Sequence, residues 1–394
     1  MSMLVFMPWC PIDNKYEIGD FRILPFNRDK VVNTLNDTDQ RSIKTIMGTY
    51  KDIEGNSVHK AAIVCKINKS LIDDLSDDDI EIAQELTAIA CFSGLANRSY
   101  FNSLGHYCNS DCFSMYIQKF DKADFTALTS RRREGRTLSG WPIDDITITI
   151  PVHCHAIRDV SLDVELLKAL IECSANLQSS ERGRWQNAIS CFNQANTDSD
   201  NIRYQMEWVL LCSAFEHLLE SKSEAKDTAE RFAHVLTPSN ELLVKDSMRL
   251  SNKQENVSRS IRYEWMREFY RIRGDYAHGR LNTKQPIVWE PLEHLVLATI
   301  AFPLVIKKLL SRIGKYKIKD NEQAQIDCFE HFADTKSFLN PPTNQKGSLD
   351  SHWNRLVRKR CYKITVEQAA NGLRNLRKSA QPGQIKGDSL KEDA

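Results

Sequence analysis

Long hydrophobic runs are missing from this 394-residue chain. The longest, LVLATIAFPLVI at 295–306, falls short of the roughly twenty apolar residues a bilayer span needs. It reads as a buried core helix, and no membrane association is expected. An excess of one sign of charge is missing too: 53 Lys and Arg against 52 Asp and Glu leave a net charge of +1. No global field then draws the chain to nucleic acid or anionic lipid, and any basic site has to be local. The opening residues MSMLVFMPWCP lack the basic flank and small-residue cleavage site of a secretory signal and read as a strand. The eleven cysteines are scattered, often inside apolar stretches such as those around Cys91, Cys173 and Cys212. That usage fits buried free thiols in a reducing cytoplasm. The CxxC spacing of common zinc sites is absent. His106, Cys108 and Cys112 could combine with His153, Cys154 and His155 around zinc, but ordinary structural cysteine is the favoured reading. Neither metal nor cofactor is assigned. A tetratricopeptide-like helix at 182–197 has no successor about 34 residues on, which excludes a solenoid.

What is present divides the chain into an α+β arrangement. Residues 1–158 read as a mixed α/β amino-terminal domain. Alternation and β-branched residues predict strands at 4–9, 61–67, 114–120 and 146–152. Between them a helix is expected at 79–96, whose acidic start SDDD suits the positive end of a helix dipole. The segment SRRREGR at 130–136 reads as a basic loop, with Arg131, Arg132 and Arg133 as candidate phosphate contacts. Residues 159–315 run helix after helix, at 162–177, 182–197, 202–221, 256–278 and about 290–312, with a polar stretch at 222–255 that has room for a short helix. Residues 316–394 form a basic extension. Its segment 353–378 carries eight basic residues and one acid, Glu367. Arg355, Arg358, Lys359 and Arg360 there are candidate RNA contacts; a solvated amphipathic helix is the competing reading. The tail from 381 is polar enough to be disordered.

The stretch FYRIRGDYAHG at 269–279 concentrates chemistry at a helix end. Trp265, Phe269, Ile272 and Tyr276 fall at steps of four, three and four, one buried stripe. Arg271 and His278 are seven apart and share a face away from that stripe. Asp275, three before His278, lies within reach of its ring, and Arg273 sits at the border of the buried face. Gly279 allows the left-handed turn that ends a helix. An imidazole near neutral pH can move protons, and a guanidinium can grip phosphate oxygens. Cations on a helix's last turn are also ordinary.

Arg273-Gly-Asp-Tyr-Ala-His278 fits the R-x4–6-H pattern and resembles that of the HEPN superfamily, small helical domains that include metal-independent endoribonucleases. The wider sequence is similar to the ApeA-like branch. RWQNAISCFNQA (184–195), EWVLLCSAFEHLLE (207–220) and YRIRGDYAHG (270–279) come in that branch's order and spacing, over roughly 160–312, with a weaker likeness at VFMPWCPIDNKYEIGDFRILPF (5–26). The resemblance implies that His278 is the general acid/base, Arg273 the phosphate-binding arginine and Glu216 a bracing acid. It implies RNA cleavage by the 2′-hydroxyl, a homodimer that brings two motifs to one cleft, and a bacterial toxin or anti-phage role answering to a phage-derived trigger or an antitoxin. A helical module that binds RNA, a nucleotide or a protein without catalysis is the alternative. The chain departs from the pattern at Gly274, where many active members carry Asn, Asp or His; Asp275 could take that role one place later. Arg273 and His278 are also about 140° apart on a straight helix. That separation asks for a distortion at Gly274, a reach by the long side chain or a partner subunit, and keeps Arg271 as the second choice.

Overall fold

The computed structural model describes residues 3–28, 37–102, 105–120, 125–132, 135–142, 146–157, 160–176, 178–250, 258–279, 287–339 and 351–379. Among the described residues, seven antiparallel strands form the main sheet: β1 (Met3–Met7), β2 (Tyr16–Ile18), β3 (Phe21–Asn27), β5 (Lys60–Lys66), β6 (Tyr116–Phe120), β7 (Phe125–Arg132) and β8 (Gly135–Pro142). Their order is β2-β3-β5-β1-β6-β7-β8, so the earliest strand lies in the middle. A separate two-stranded parallel ladder joins β4 (Tyr50–Lys51) to β9 (Ile148–Thr149). Successive strand residues face opposite sides. Leu4, Phe6, Ile63 and Cys65 pack on Ile43, Ile46 and Met47 of α1 (Asp37–Thr49). Val5, Met7, Ile23, Ala62 and Val64 turn the other way, into a larger core with α2 (Asp77–Ala96). The acidic start expected for α2 is a capping box: the Asp79 N–H donates to Ser76 Oγ, and the Ser76 N–H donates to the Asp79 carboxylate, each at 3.1 Å.

That larger core continues without a break into the helices that follow. These are α3 (Val164–Asn176), α4 (Ser179–Gln194), α5 (Tyr204–Leu219), α6 (Ala225–Val235), α7 (Ile261–Ala277), α8 (Pro291–Arg312), α9 (Asp320–Asp334) and α10 (His352–Ser379). Helix α8 is the apolar run noted above. By length and composition it could cross a bilayer, but 72% of its most apolar window is buried inside the protein. A strand-rich amino-terminal region is followed by helices, and the α+β class is observed.

Two expectations are corrected. Residues 146–152 contribute only the two-residue strand β9, because a turn of 3-10 helix takes over at Val152–Cys154. The described residues of SRRREGR are strand, not loop: Arg131 pairs with Arg136 and Arg132 with Gly135 across the β7–β8 hairpin. Arg133 lies outside the described residues, as does the tail from 381. Strands β2 and β3, the β7–β8 hairpin, α1 and α9 were not foreseen.

Candidate active site

Helix α7 starts at Ser260, whose hydroxyl accepts the Tyr263 N–H at 3.4 Å. It ends at His278 and Gly279, and Gly279 adopts φ +73°, the left-handed conformation that glycine takes without a steric penalty. The stripe is where the periodicity puts it. Trp265, Phe269 and Ile272 are buried, and Tyr276 is half-buried with its ring edge on Trp208 at 5.2 Å. Trp208 of α5 also stacks on Phe269 at 5.0 Å, and its indole N–H donates to the Phe269 carbonyl at 2.8 Å. These contacts set α5 against α7 at one register. They place Glu216, on α5, opposite Tyr270 and Arg273, one turn apart on α7.

Glu216 is the hub. Its Oε2 accepts the Tyr270 hydroxyl at 2.8 Å and lies 3.4 Å from Arg273 Nη2. Its Oε1 accepts the hydroxyl of Ser223, which the chain brings back after Glu220 turns left-handed at φ 53°. Arg273 Nη1 donates to the Tyr270 oxygen at 3.2 Å, and the guanidinium lies 5.3 Å from the Tyr270 ring centroid. Burial opposes the Glu216 charge, yet Ser223, Tyr270 and Arg273 together hold its carboxyl below the usual carboxylate range. Burial, and then the hydrogen bond to Glu216, raise the Tyr270 phenol. Arg273 is not sealed in: its side chain is 28% exposed. Its Nε is buried and finds no acceptor among the described residues.

Of the residues singled out from sequence, Arg273 and Glu216 meet. His278 is exposed at the C-cap, where its backbone N–H bonds to the Gly274 carbonyl at 3.2 Å. Among the described residues no hydrogen bond joins its ring to Arg273. Arg271 is exposed and Asp275 half-buried. Helix α7 runs uninterrupted through Gly274, so no distortion there swings Arg273 toward His278. Tyr270 and Ser223 were missed. Tyr270 was detectable from its i, i+3 spacing to Arg273. Ser223 was not, because only the tertiary turn returns it.

The basic residues of α10 are not alike. Arg360 donates from Nε to Asp327 of α9 at 2.7 Å and also faces Glu367, so it works in the packing of α10 on α9. Lys359 and Arg358 are exposed and Arg355 is half-buried. A separate cleft of about 600 Å³ opens between α2, α3 and α4, lined among others by Glu81, Glu85, Arg182 and Trp185. Comparison with protein-family models, with curated proteins and with solved structures finds no match for this chain.

Proposed function

We propose that the chain is a metal-independent endoribonuclease of the HEPN type, acting from the end of α7. The observation that carries this reading is the braced arginine. Glu216 and Tyr270 fix the Arg273 guanidinium at the border of the core, while it keeps an unmet N–H and partial access to solvent. Five residues on, His278 is exposed where a substrate can reach it. Arg273 would grip non-bridging phosphate oxygens and offset the charge of the pentacoordinate transition state. His278 would take the proton of the ribose 2′-hydroxyl as that oxygen attacks phosphorus, or give a proton to the departing 5′-oxygen. The products are a 2′,3′-cyclic phosphate and a 5′-hydroxyl. One histidine per chain serves poorly as both acid and base, and α7 does not bring its own Arg273 to His278. Both facts favour a homodimer with the two motifs in one cleft. The cellular role that goes with this chemistry is a cytoplasmic toxin or anti-phage effector, held in check by an antitoxin or released by a phage trigger.

A non-catalytic helical module that binds RNA, a nucleotide or a protein is the second reading. It is favoured by one observation, that Arg273 already spends donors on Glu216 and Tyr270. Labelled RNA incubated with the wild type, His278→Ala and Arg273→Ala, in EDTA added at the start of the assay, separates the two. The nuclease reading expects cyclic-phosphate ends from the wild type. Each folded variant should lose on the order of 10²-fold or more in rate. Wild-type protein that binds RNA without cutting it, and that is no more toxic on expression than His278→Ala, would establish the second.

A further inference from the structure

Two turns far apart in sequence meet beside the helical core. Residues 110–113 and 152–154 are both short 3-10 turns. Each supplies one buried thiol and one half-exposed harder donor. From the first come Cys112, 1% exposed, and Asp111; from the second come Cys154, 0% exposed, and His153. The donor atoms of Asp111, His153 and Cys154 all lie within 4.8 Å of one another. His153 Nε2 and the Asp111 carboxylate are in direct contact. Cys112 and Cys154 both aim their S–H groups at a single oxygen, Asn109 Oδ1, at 3.3 and 3.1 Å. Asn109 is itself 0% exposed, and its Nδ2 donates to the His153 carbonyl at 3.0 Å, which pins one turn to the other.

We infer that Asp111, Cys112, His153 and Cys154 form a structural zinc site. The donor set is two soft sulfurs, an imidazole nitrogen and a carboxylate oxygen, which suits a borderline-soft ion without geometric demands of its own. Tetrahedral zinc takes such donors at about 2.3 Å for sulfur and about 2.0–2.2 Å for nitrogen and oxygen. Asp111, His153 and Cys154, already within 4.8 Å of one another, would close up around the ion, and Cys112 would turn from Asn109 to serve as the fourth ligand. The layout also gives the ion a way in. The thiols form the floor, while His153 and Asp111 stand at the mouth with side chains 24% and 28% exposed. On binding, both thiols lose their protons to solvent and form two zinc–sulfur bonds. Nothing is oxidised or reduced, and the site carries a net charge of −1. The ion would staple the turn after β9 to the turn before β6. The latter is tied to the end of α4, because the Ser110 N–H donates to the Asn196 carbonyl at 2.9 Å. The inference is independent of the nuclease reading, since none of these residues lies on α5 or α7.

The test uses full-length protein purified under reducing conditions, stripped of metal and titrated with Zn2+ or Co2+. The expected result is one ion per chain, release of about two protons per ion near neutral pH, and tetrahedral cobalt bands with thiolate charge transfer. His153→Ala removes a ligand at the mouth without touching the buried floor and should weaken binding at least tenfold. Cys154→Ser should do the same, and Cys361→Ser on α10 should change nothing. The inference is overturned if folded wild type takes up no stoichiometric ion, if uptake is indifferent to His153 and Cys154, or if the freshly isolated protein carries a Cys112–Cys154 disulfide.

Discussion

Lys307 is a cation placed where water hardly reaches. It is 5% exposed on α8, and its ammonium lies 2.8 Å from Asp163 and 2.7 Å from Glu322, which are 7% and 3% exposed. Asp163 immediately precedes α3 and Glu322 is on α9, so one charge ties three segments. Lys307→Met keeps most of the length of the side chain and removes the charge. Removing one partner of a buried ion pair costs about 3–5 kcal/mol, mostly because the other partner is left charged and dry. Here Lys319 stays 3.2 Å from Asp163, and the Tyr316 hydroxyl still donates to Glu322 at 2.8 Å. That residual support places the expected loss near the lower end, about 3 kcal/mol at pH 7. Burial works against the Asp163 charge, but Lys307 and Lys319 more than offset it and hold its carboxyl below the usual range. A depressed carboxyl stabilises the fold above its unfolded pKa of about 3.9, and the contribution fades as pH falls through the folded value. The deficit of Lys307→Met should be full at pH 7 and smaller at about pH 2.5, below the unfolded value, where the folded carboxyl takes up its proton. Urea denaturation followed by tryptophan fluorescence, wild type against variant at both pH values, reads it directly. A loss under about 1 kcal/mol at pH 7, or a deficit that does not shrink in acid, would refute the claim that this lysine neutralises buried carboxylates.

Burial pushes the His294 imidazole below its ordinary pKa, against the pull of Glu268 at 3.2 Å, so the folded state favours the neutral ring. Stability should fall as pH drops below about 6.5, and His294→Gln, which keeps an N–H for Glu268 and does not titrate, should flatten the thermal midpoint against pH between 7 and 5. A Cβ at Gly274 meets nothing within 4 Å, and α7 is regular there. Gly274→Ala should therefore stabilise the protein by about 0.5–1 kcal/mol in urea, and destabilisation would mean that the position needs glycine. Arg360→Ala should cost about 1 kcal/mol and speed proteolysis within α10, while Lys359→Ala, on an exposed side chain, should stay within about 0.5 kcal/mol of wild type.

Where a single local rule decides, the sequence was readable. Trp265, Phe269 and Ile272 repeat at helical spacing and are buried; Gly279 stops the helix; Ser76 and Asp79 cap α2. Elements whose burial is settled by distant partners were harder. Helix α9 is rich in polar residues, and several of them are buried as ligands of other segments. Asp327 holds Arg360 and the Ser239 backbone, and Glu330 holds Arg262 at 2.6 Å. No periodicity announces such acids as interior. The β2–β3 hairpin did carry a signal, Gly19-Asp20 between alternating residues, with Gly19 at φ +55°. At the candidate site, Arg273, His278 and Glu216 stood out as polar residues on or beside an apolar face. Their grouping did not, because about 140° of helix and the register that Trp208 on Phe269 sets between α5 and α7 decide which of them meet.

The position of β1 bears on how the chain comes to be folded. Residues 3–7 occupy the centre of the sheet and need both neighbours, β5 at 60–66 and β6 at 116–120, before their backbone is satisfied on each side. At about 5–20 residues per second of synthesis, the second neighbour follows the first strand by roughly 5 to 25 s. Until then Leu4, Val5 and Phe6 are unpaired, and once β5 is made they still form one open, sticky edge on the nascent polypeptide. Chaperone capture at that stage is what such a late-closing centre entails.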